Sequence, residues 1–236
     1  MLPVIEHPLF HLTIPSLQKE VLFRPFLVKE EKILLMAQQA GDNRQIILAI
    51  KQVINNCLQS TDVDVNDLTM FDIEYLFIKL RASSIDNNAT VVYIDPEDEK
   101  QYQFDINMDE ITLSEIPETR SKLIDLGDGY KVKMRYITAD AFENIPEELG
   151  ENTLDDFLIT SAIEAIYSGD EMTKADDLTF KELNAWVENL SIPTRDEMLE
   201  FIESTPHILY EIKYTNSLDH ERTIRLTSLR DFFTWG

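Results

Sequence analysis

The 236-residue chain contains a single cysteine, Cys57. A lone thiol excludes an internal disulfide and any metal site built on several cysteines. Glycine is scarce too, with six in the whole chain. A phosphate-cradling loop needs glycines at fixed spacing ahead of a helix; Gly127-Asp128-Gly129 has neither and reads as a hairpin turn. Basic residues are the third shortage: 21 Lys and Arg stand against 44 Asp and Glu, for a net charge of −23. That balance repels nucleic-acid backbones and anionic membranes and suits a partner with a basic surface. No apolar run approaches the roughly 20 residues of a membrane span. The N-terminal MLPVIEHPLFHLTIP lacks a basic segment and is broken by Pro3, Pro8 and Pro15, so it does not read as a signal peptide. The expectation is a soluble protein long enough to bury a sizeable core, with no nucleic-acid and no membrane partner.

Periodicity supplies the elements. Residues 9–14 and 20–24 read as strands around a turn at Pro15-Ser16, and residues 29–40 as a helix with Ile33, Met36, Ala37 and Ala40 on its apolar side. Beyond Gly41 a second helix carries Ile46, Ile47, Ile50, Val53, Ile54, Cys57 and Leu58 in one stripe. So short a connection predicts an antiparallel helical hairpin. Residues 60–68 are an acidic linker. Asp62, Asp64 and Asn66 have the spacing of calcium-loop positions, but Asp67 stands where glycine is needed and Ile73 where glutamate is needed, so no calcium site is assigned. Thr69 and Asp72 fit a capping box for a third helix. Its buried face is Ile73, Leu76, Phe77 and Leu80, with Asp72, Lys79 and Arg81 off it.

The period then changes to two. Residues 91–94 and 101–107 read as strands around an acidic DPEDEK turn, and residues 123–126 and 130–136 as a hairpin over Gly127-Asp128-Gly129. The return strand puts Tyr130, Val132, Met134 and Tyr136 on one face and Lys131, Lys133 and Arg135 on the other. Thr153 with Asp156, Thr179 with Glu182 and Thr194 with Glu197 fit capping boxes that open helices at 154–167, 180–190 and 195–204. Residues 207–215 and 221–226 form a last hairpin before the ending SLRDFFTWG. The predicted class is α+β: antiparallel β-hairpins with an N-terminal helical hairpin plus third helix, and a C-terminal helical group. A boundary near residue 115 would separate an N-terminal region, 1–115, from a C-terminal region, 116–236; a single fold accommodates the same elements.

Chemistry is hard to find. His7 and His11 flank Pro8 in an extended segment, where positions four apart are separated by about 13 Å, so they read as surface histidines. Cys57 lies on the apolar stripe of a helix, the setting of an inert thiol. Acidic pairs are too numerous for any one to be singled out as acid and base, which leaves a carboxylate-based hydrolase only as a rival reading. No catalytic, cofactor-binding or metal-binding residue is assigned. Two features suggest partner binding. The row Lys131, Lys133, Arg135 is either a solvated strand face neutralised by neighbouring carboxylates or a docking strip for an acidic patch. Phe232, Phe233 and Trp235 cannot all face inward from one short helix; they pack under the last hairpin or anchor a partner.

Taken in order, FRPFLVKEEKILLMA, FDIEYLFIKLRA, QYQFDIN, IDLGDGYKVKMRY and ILYEIKYTN…TIRLTSLRDFF resemble one family. These strings are similar to the baseplate hub assembly proteins of T-even-type contractile-tailed phages, which include the hub subunit and the hub assembly catalyst. The resemblance spans nearly the whole chain, strongly at 21–82 and more weakly at 137–205. Some relatives carry hairpin cysteines suited to zinc; this chain has none there. The resemblance implies no enzyme and no cofactor, since "catalyst" there means an assembly factor. It implies hub and tail-spike components and the tape-measure protein as partners, in the cytoplasm of an infected bacterium or in the virion baseplate. A transient chaperone and a permanent subunit both fit. Phe23, Arg24, Pro25 and Phe26 are a candidate contact surface; alternatively Phe23 and Phe26 are core and Arg24 pairs locally.

Overall fold

The structure is a computed structural model that describes residues 6–40, 43–114, 121–144 and 151–232. In chain order its elements are β1 (Phe10–Ile14), β2 (Lys19–Phe23), α1 (Val28–Ala40), α2 (Asn43–Cys57), α3 (Met70–Ser84), β3 (Asn88–Ile94), β4 (Gln101–Asn107) and β5 (Thr112–Leu113). There follow β6 (Ser121–Gly127), β7 (Tyr130–Arg135), α4 (Ala139–Glu143), α5 (Glu151–Ala162), β8 (Ile163–Ser168), β9 (Glu171–Lys174), α6 (Phe180–Val187) and α7 (Ile192–Glu203). β10 (Ile208–Thr215), β11 (Glu221–Leu226) and α8 (Leu229–Phe232) complete the series. All described strand pairs are antiparallel, as the α+β class requires. Two compact units share the chain: residues 1–65, 71–116 and 206–236 in the first, residues 66–70 and 117–205 in the second.

In the first unit, β1 and β2 pair from Phe10 opposite Phe23 to Ile14 opposite Lys19. α2 buries Ile50, Val53, Ile54 and Cys57, the stripe read from sequence. α1 is turned from its expected orientation. Leu34 and Glu30 are buried, while Met36 is 70% exposed. The cause is local: Glu30 accepts the Leu27 N–H at 2.9 Å and the Arg24 guanidinium at 3.0 Å, which draws an acidic residue into the seam and rotates Met36 out. α3 is buried almost all round, from Phe71 and Ile73 to Leu80 and Ala82. Asp72, expected off the buried face, is fully buried; its carboxylate accepts the Ser16 N–H at 2.8 Å and hydroxyl at 2.6 Å. That partner is 56 positions away, so no local pattern reveals it. Lys79 donates to the carbonyls of Met108, Asp109 and Ile111 at 3.2, 2.7 and 3.0 Å, closing the 3-10 turn that leads from β4 to β5. β5, too short to be seen in the sequence, makes two pairs with β10 and gives the sheet order β11-β10-β5.

The second unit is built on a meander of order β6-β7-β8-β9 with α5, α6 and α7. The helix expected over 154–167 ends at Ala162, and residues from Ile163 onward form β8 and then β9. A short apolar run such as ITSAIEAIY satisfies helical and strand periods alike. The waiting partner decides: Val132 pairs with Ile166 and Lys133 with Ala165, and Gly169, at φ +61°, turns the chain back. α5 begins at Glu151, ahead of the expected cap at Thr153. α7 also begins early, because Ser191 rather than Thr194 is its N-cap and accepts the Thr194 N–H at 3.3 Å. The capping box of Thr179 and Glu182 forms as expected. Buried Ile124, Val132, Met134, Ile163, Leu183, Val187 and Met198 make the core, and Tyr136 stacks on Phe201 with centroids 5.1 Å apart.

Candidate partner-binding surfaces

Phe23, Arg24, Pro25 and Phe26 knit the first unit together, with both phenylalanines buried and Arg24 and Pro25 partly exposed. Phe23 is 1% exposed, stacks on Phe10 and bridges to Leu58; Phe26 is 7% exposed and its N–H donates to Ser84 Oγ at 3.0 Å. The Arg24 guanidinium donates to Glu30 at 3.0 Å, to the Asn56 carbonyl at 2.8 Å and to the Pro25 carbonyl at 2.9 Å. This hydrogen bond to Glu30 outweighs burial and raises the Arg24 pKa. Burial opposes ionisation of Glu30, but the bonds from Arg24 and the Leu27 N–H hold its carboxyl below the ordinary value. Nearby Cys57 is fully buried, and burial pushes its thiol up to about 11, so it is not a nucleophile at neutral pH.

The basic row is where the sequence puts it, on the face of β7 opposite the buried Val132 and Met134. Lys133 bonds Glu164 at 2.7 Å and Arg135 bonds Asp176 at 3.1 Å, so two of the three cations are already matched. The pair with Glu164 raises the Lys133 pKa. Lys131 is exposed and without an ion-pair partner among the described residues, as is Lys174 on β9. Strand registers put Leu123 opposite Lys133, Met172 opposite Tyr167 and Lys174 opposite Ala165, all on this outer face. Leu123 and Met172 are 55% and 50% exposed. A cleft of about 660 Å³ lies over the Arg135 end and one of about 650 Å³ over the Lys131 end. Lys174, Met172 and Tyr167 were missed in the sequence because their placement depends on the β8–β9 hairpin. The signal available was Ser168-Gly169-Asp170, a turn that a helix through 167 leaves unexplained.

Of the C-terminal aromatics, Phe232 is 2% exposed and therefore core. Phe233 and Trp235 lie outside the described residues.

A polar clasp joins the tips of the β3–β4 and β10–β11 hairpins. Asp95 is fully buried and accepts the Tyr214 hydroxyl, the Glu97 N–H at 2.7 Å and, at 3.5 Å, the Arg222 Nε. Asp98 accepts the Tyr102 hydroxyl at 2.6 Å and the Ser217 N–H and hydroxyl at 3.0 and 2.8 Å. These donors overcome desolvation and keep the Asp98 carboxyl well below the usual range, while burial and the Asp95 carboxylate push Tyr214 up to about 12. The clasp thus fastens two hairpins more than 100 positions apart; its groups are committed to one another.

What the family comparison adds is decisive. A family described as T4 bacteriophage base plate protein matches residues 7–234. The chain belongs to it. No curated protein and no solved structure matches the chain. As a bacteriophage baseplate protein it works among other phage baseplate proteins, and its exposed faces are the places to look for their contacts. No described helix is long and apolar enough to cross a membrane. Among the described residues no group of three or more His, Cys, Asp or Glu is placed to hold a metal ion.

Proposed function

We propose that this baseplate protein promotes assembly of the central baseplate hub by binding other tail proteins, and that it performs no chemical catalysis. The family match across residues 7–234 carries the reading. The binding mode is supported by the outer face of β6-β7-β8-β9, where exposed Leu123 and Met172 lie beside Lys131 and Lys174. Apolar side chains rimmed by charge are the usual make-up of a protein contact. The net charge of −23 favours partners with basic surfaces and speeds their encounter more than it tightens the complex. An inert buried thiol and carboxylates already engaged with partners give no support to a hydrolase.

Interrupting this gene in the phage should give infected cells that build heads but accumulate tail parts without a completed hub. Normal tails from such cells would overturn the proposal. It covers a factor that leaves the finished particle and a subunit that stays, and mass spectrometry of purified particles separates these.

A further inference from the structure

β3 (NATVVYI) is the one described strand of more than two residues with no Asp, Glu, Lys, Arg or His, in a chain whose net charge is −23. Its hydrogen bonds run to one side only. The Asp95 N–H bonds the Lys100 carbonyl at 3.0 Å and the Met108 N–H bonds the Asn87 carbonyl at 2.6 Å. Ladder parity then turns the main-chain groups of Ala89, Val91 and Tyr93 toward β4 and those of Asn88, Thr90, Val92 and Ile94 away from it. The Asn88 N–H is taken by the Asp86 carboxylate at 3.0 Å. Among the described residues nothing bonds the N–H or C=O groups of Thr90, Val92 and Ile94.

The side chains of the same residues stand on the exposed face. α8 packs against β3, yet Asn88, Thr90, Val92 and Ile94 all remain exposed, Val92 by 41% and Ile94 by 64%. Val91 is buried and Tyr93 packs on Tyr214. Across the ladder Thr90 faces Asp105, Val92 faces Gln103 and Ile94 faces Gln101. Asp105, the single carboxylate in these three pairs, accepts the Thr90 hydroxyl at 2.9 Å. Other edges are built differently. β6, β9 and β11 stand at the edges of their sheets and each carries acidic and basic residues, a usual guard against edge-to-edge pairing. β3 has no charge, proline or bulge along its length. An exposed edge of β-branched residues without these guards pairs readily with another strand.

We propose that β3 pairs antiparallel with β3 of a second copy of this chain across a twofold axis, giving a four-stranded sheet of order β4-β3-β3-β4. Charge chooses the copy over a foreign strand. Two chains of −23 repel wherever their charged surfaces meet, so a self-contact needs a segment without charge, and β3 supplies it. A basic or acidic foreign segment finds no counter-charge along this edge. The row Thr90, Val92 and Ile94 is also complementary to itself, because antiparallel pairing sets β-branched side chains beside β-branched side chains. The two copies of Asp105 stand three strand spacings apart, at least about 14 Å, beyond the screening length of about 8 Å. Of the acids flanking the row, Glu97 is matched by His220 at 2.7 Å and Arg222 at 3.3 Å, and Asp86 lies within reach of the Arg81 charge. One strand edge per copy buries less than the roughly 1,600 Å² of a standard interface, so the dimer is weak and reversible. The pairing is independent of the hub-assembly reading.

The test uses the full chain in sedimentation equilibrium from about 5 μM to about 1 mM, at about 50 and about 500 mM sodium chloride. A reversible monomer–dimer equilibrium is expected, tighter at the higher salt because screening weakens the repulsion between the two acidic chains. Val92→Lys and Val92→Glu should each weaken dimerisation at least tenfold, since either sign brings two like charges together near the twofold axis. Met36→Lys, on the exposed side of α1, should leave it unchanged. Amide exchange on the wild-type chain gives a readout that does not depend on how the variants fold. The Thr90, Val92 and Ile94 amides should slow as protein concentration rises, while those of Val91 and Tyr93, already bonded to β4, stay constant. A monomer at every concentration, a dimer that loosens with salt or survives either charge at Val92, or slowing confined to other segments overturns the proposal. A dimer whose tagged chain recovers no baseplate protein from infected cells keeps the pairing and defeats the hub-assembly reading; a monomer that recovers them defeats the pairing alone.

Discussion

Glu74 gives the structure a measurable pH signature. It lies on α3 where its carboxylate accepts the Leu229 N–H at the start of α8, close to Asp231. Burial pushes its pKa up from an ordinary 4.5 to about 7, with the charge of Asp231 adding to the rise. The folded value lies above the unfolded one, so the native state holds the proton more tightly and the unfolded state loses it first. Stability is therefore greatest below the unfolded value and falls as pH rises from about 4.5, with nearly the full penalty in place above about 7. Over that span, at roughly 1.4 kcal/mol per pH unit, the penalty is about 3 kcal/mol. Glu74→Gln removes the titration and keeps a carbonyl to accept the Leu229 N–H. It should stabilise the protein by about 2–3 kcal/mol at pH 8 and by less than about 1 kcal/mol at pH 5. In a chain of this size that corresponds to a rise in Tm of about 4–12 °C at pH 8. Calorimetric unfolding of both proteins at pH 5, 6.5 and 8 is the assay. A gap independent of pH, or one that widens toward pH 5, refutes the placement of Glu74 beside α8.

Three further outcomes follow from other contacts. Arg24→Met leaves Glu30 buried with Lys29, 3.5 Å away, as its remaining cation; it should cost about 2–3 kcal/mol at pH 7 in urea unfolding, and less at pH 4 as Glu30 takes up a proton. Lys79→Met strips three carbonyls of their donor and should cost about 1–3 kcal/mol, with faster amide exchange at Ile111. Gly169→Ala should destabilise by about 1 kcal/mol because Gly169 sits at φ +61°; a helix through this segment would be stabilised by the same change.

Elements whose signals are local could be read directly from the chain. The α2 stripe, the Thr179–Glu182 box and the alternation of Val132 and Met134 with Lys131 and Lys133 each need only neighbours to be understood. Errors arose where a distant residue chose between two local options. β7 makes a strand of residues 163–168 and Ser16 draws Asp72 inward; the turn of α1 about Glu30 is instead local, set by Arg24 and the Leu27 N–H. The surfaces follow the same division. The alternation of β7 exposed the basic row, but its matching by Glu164 and Asp176, and the arrival of Met172 and Lys174, depend on the β8–β9 hairpin. Within FRPF, Phe23 and Phe26 are buried and Arg24 serves Glu30.

The central claim is that this baseplate protein acts by binding other tail proteins. Its most direct test is affinity purification of the tagged chain from phage-infected cells in moderate salt, followed by mass spectrometry against a tag-only control. Enrichment of baseplate hub proteins over the control is the expected result. Recovery of the tagged protein alone, at every stage of infection, would contradict it.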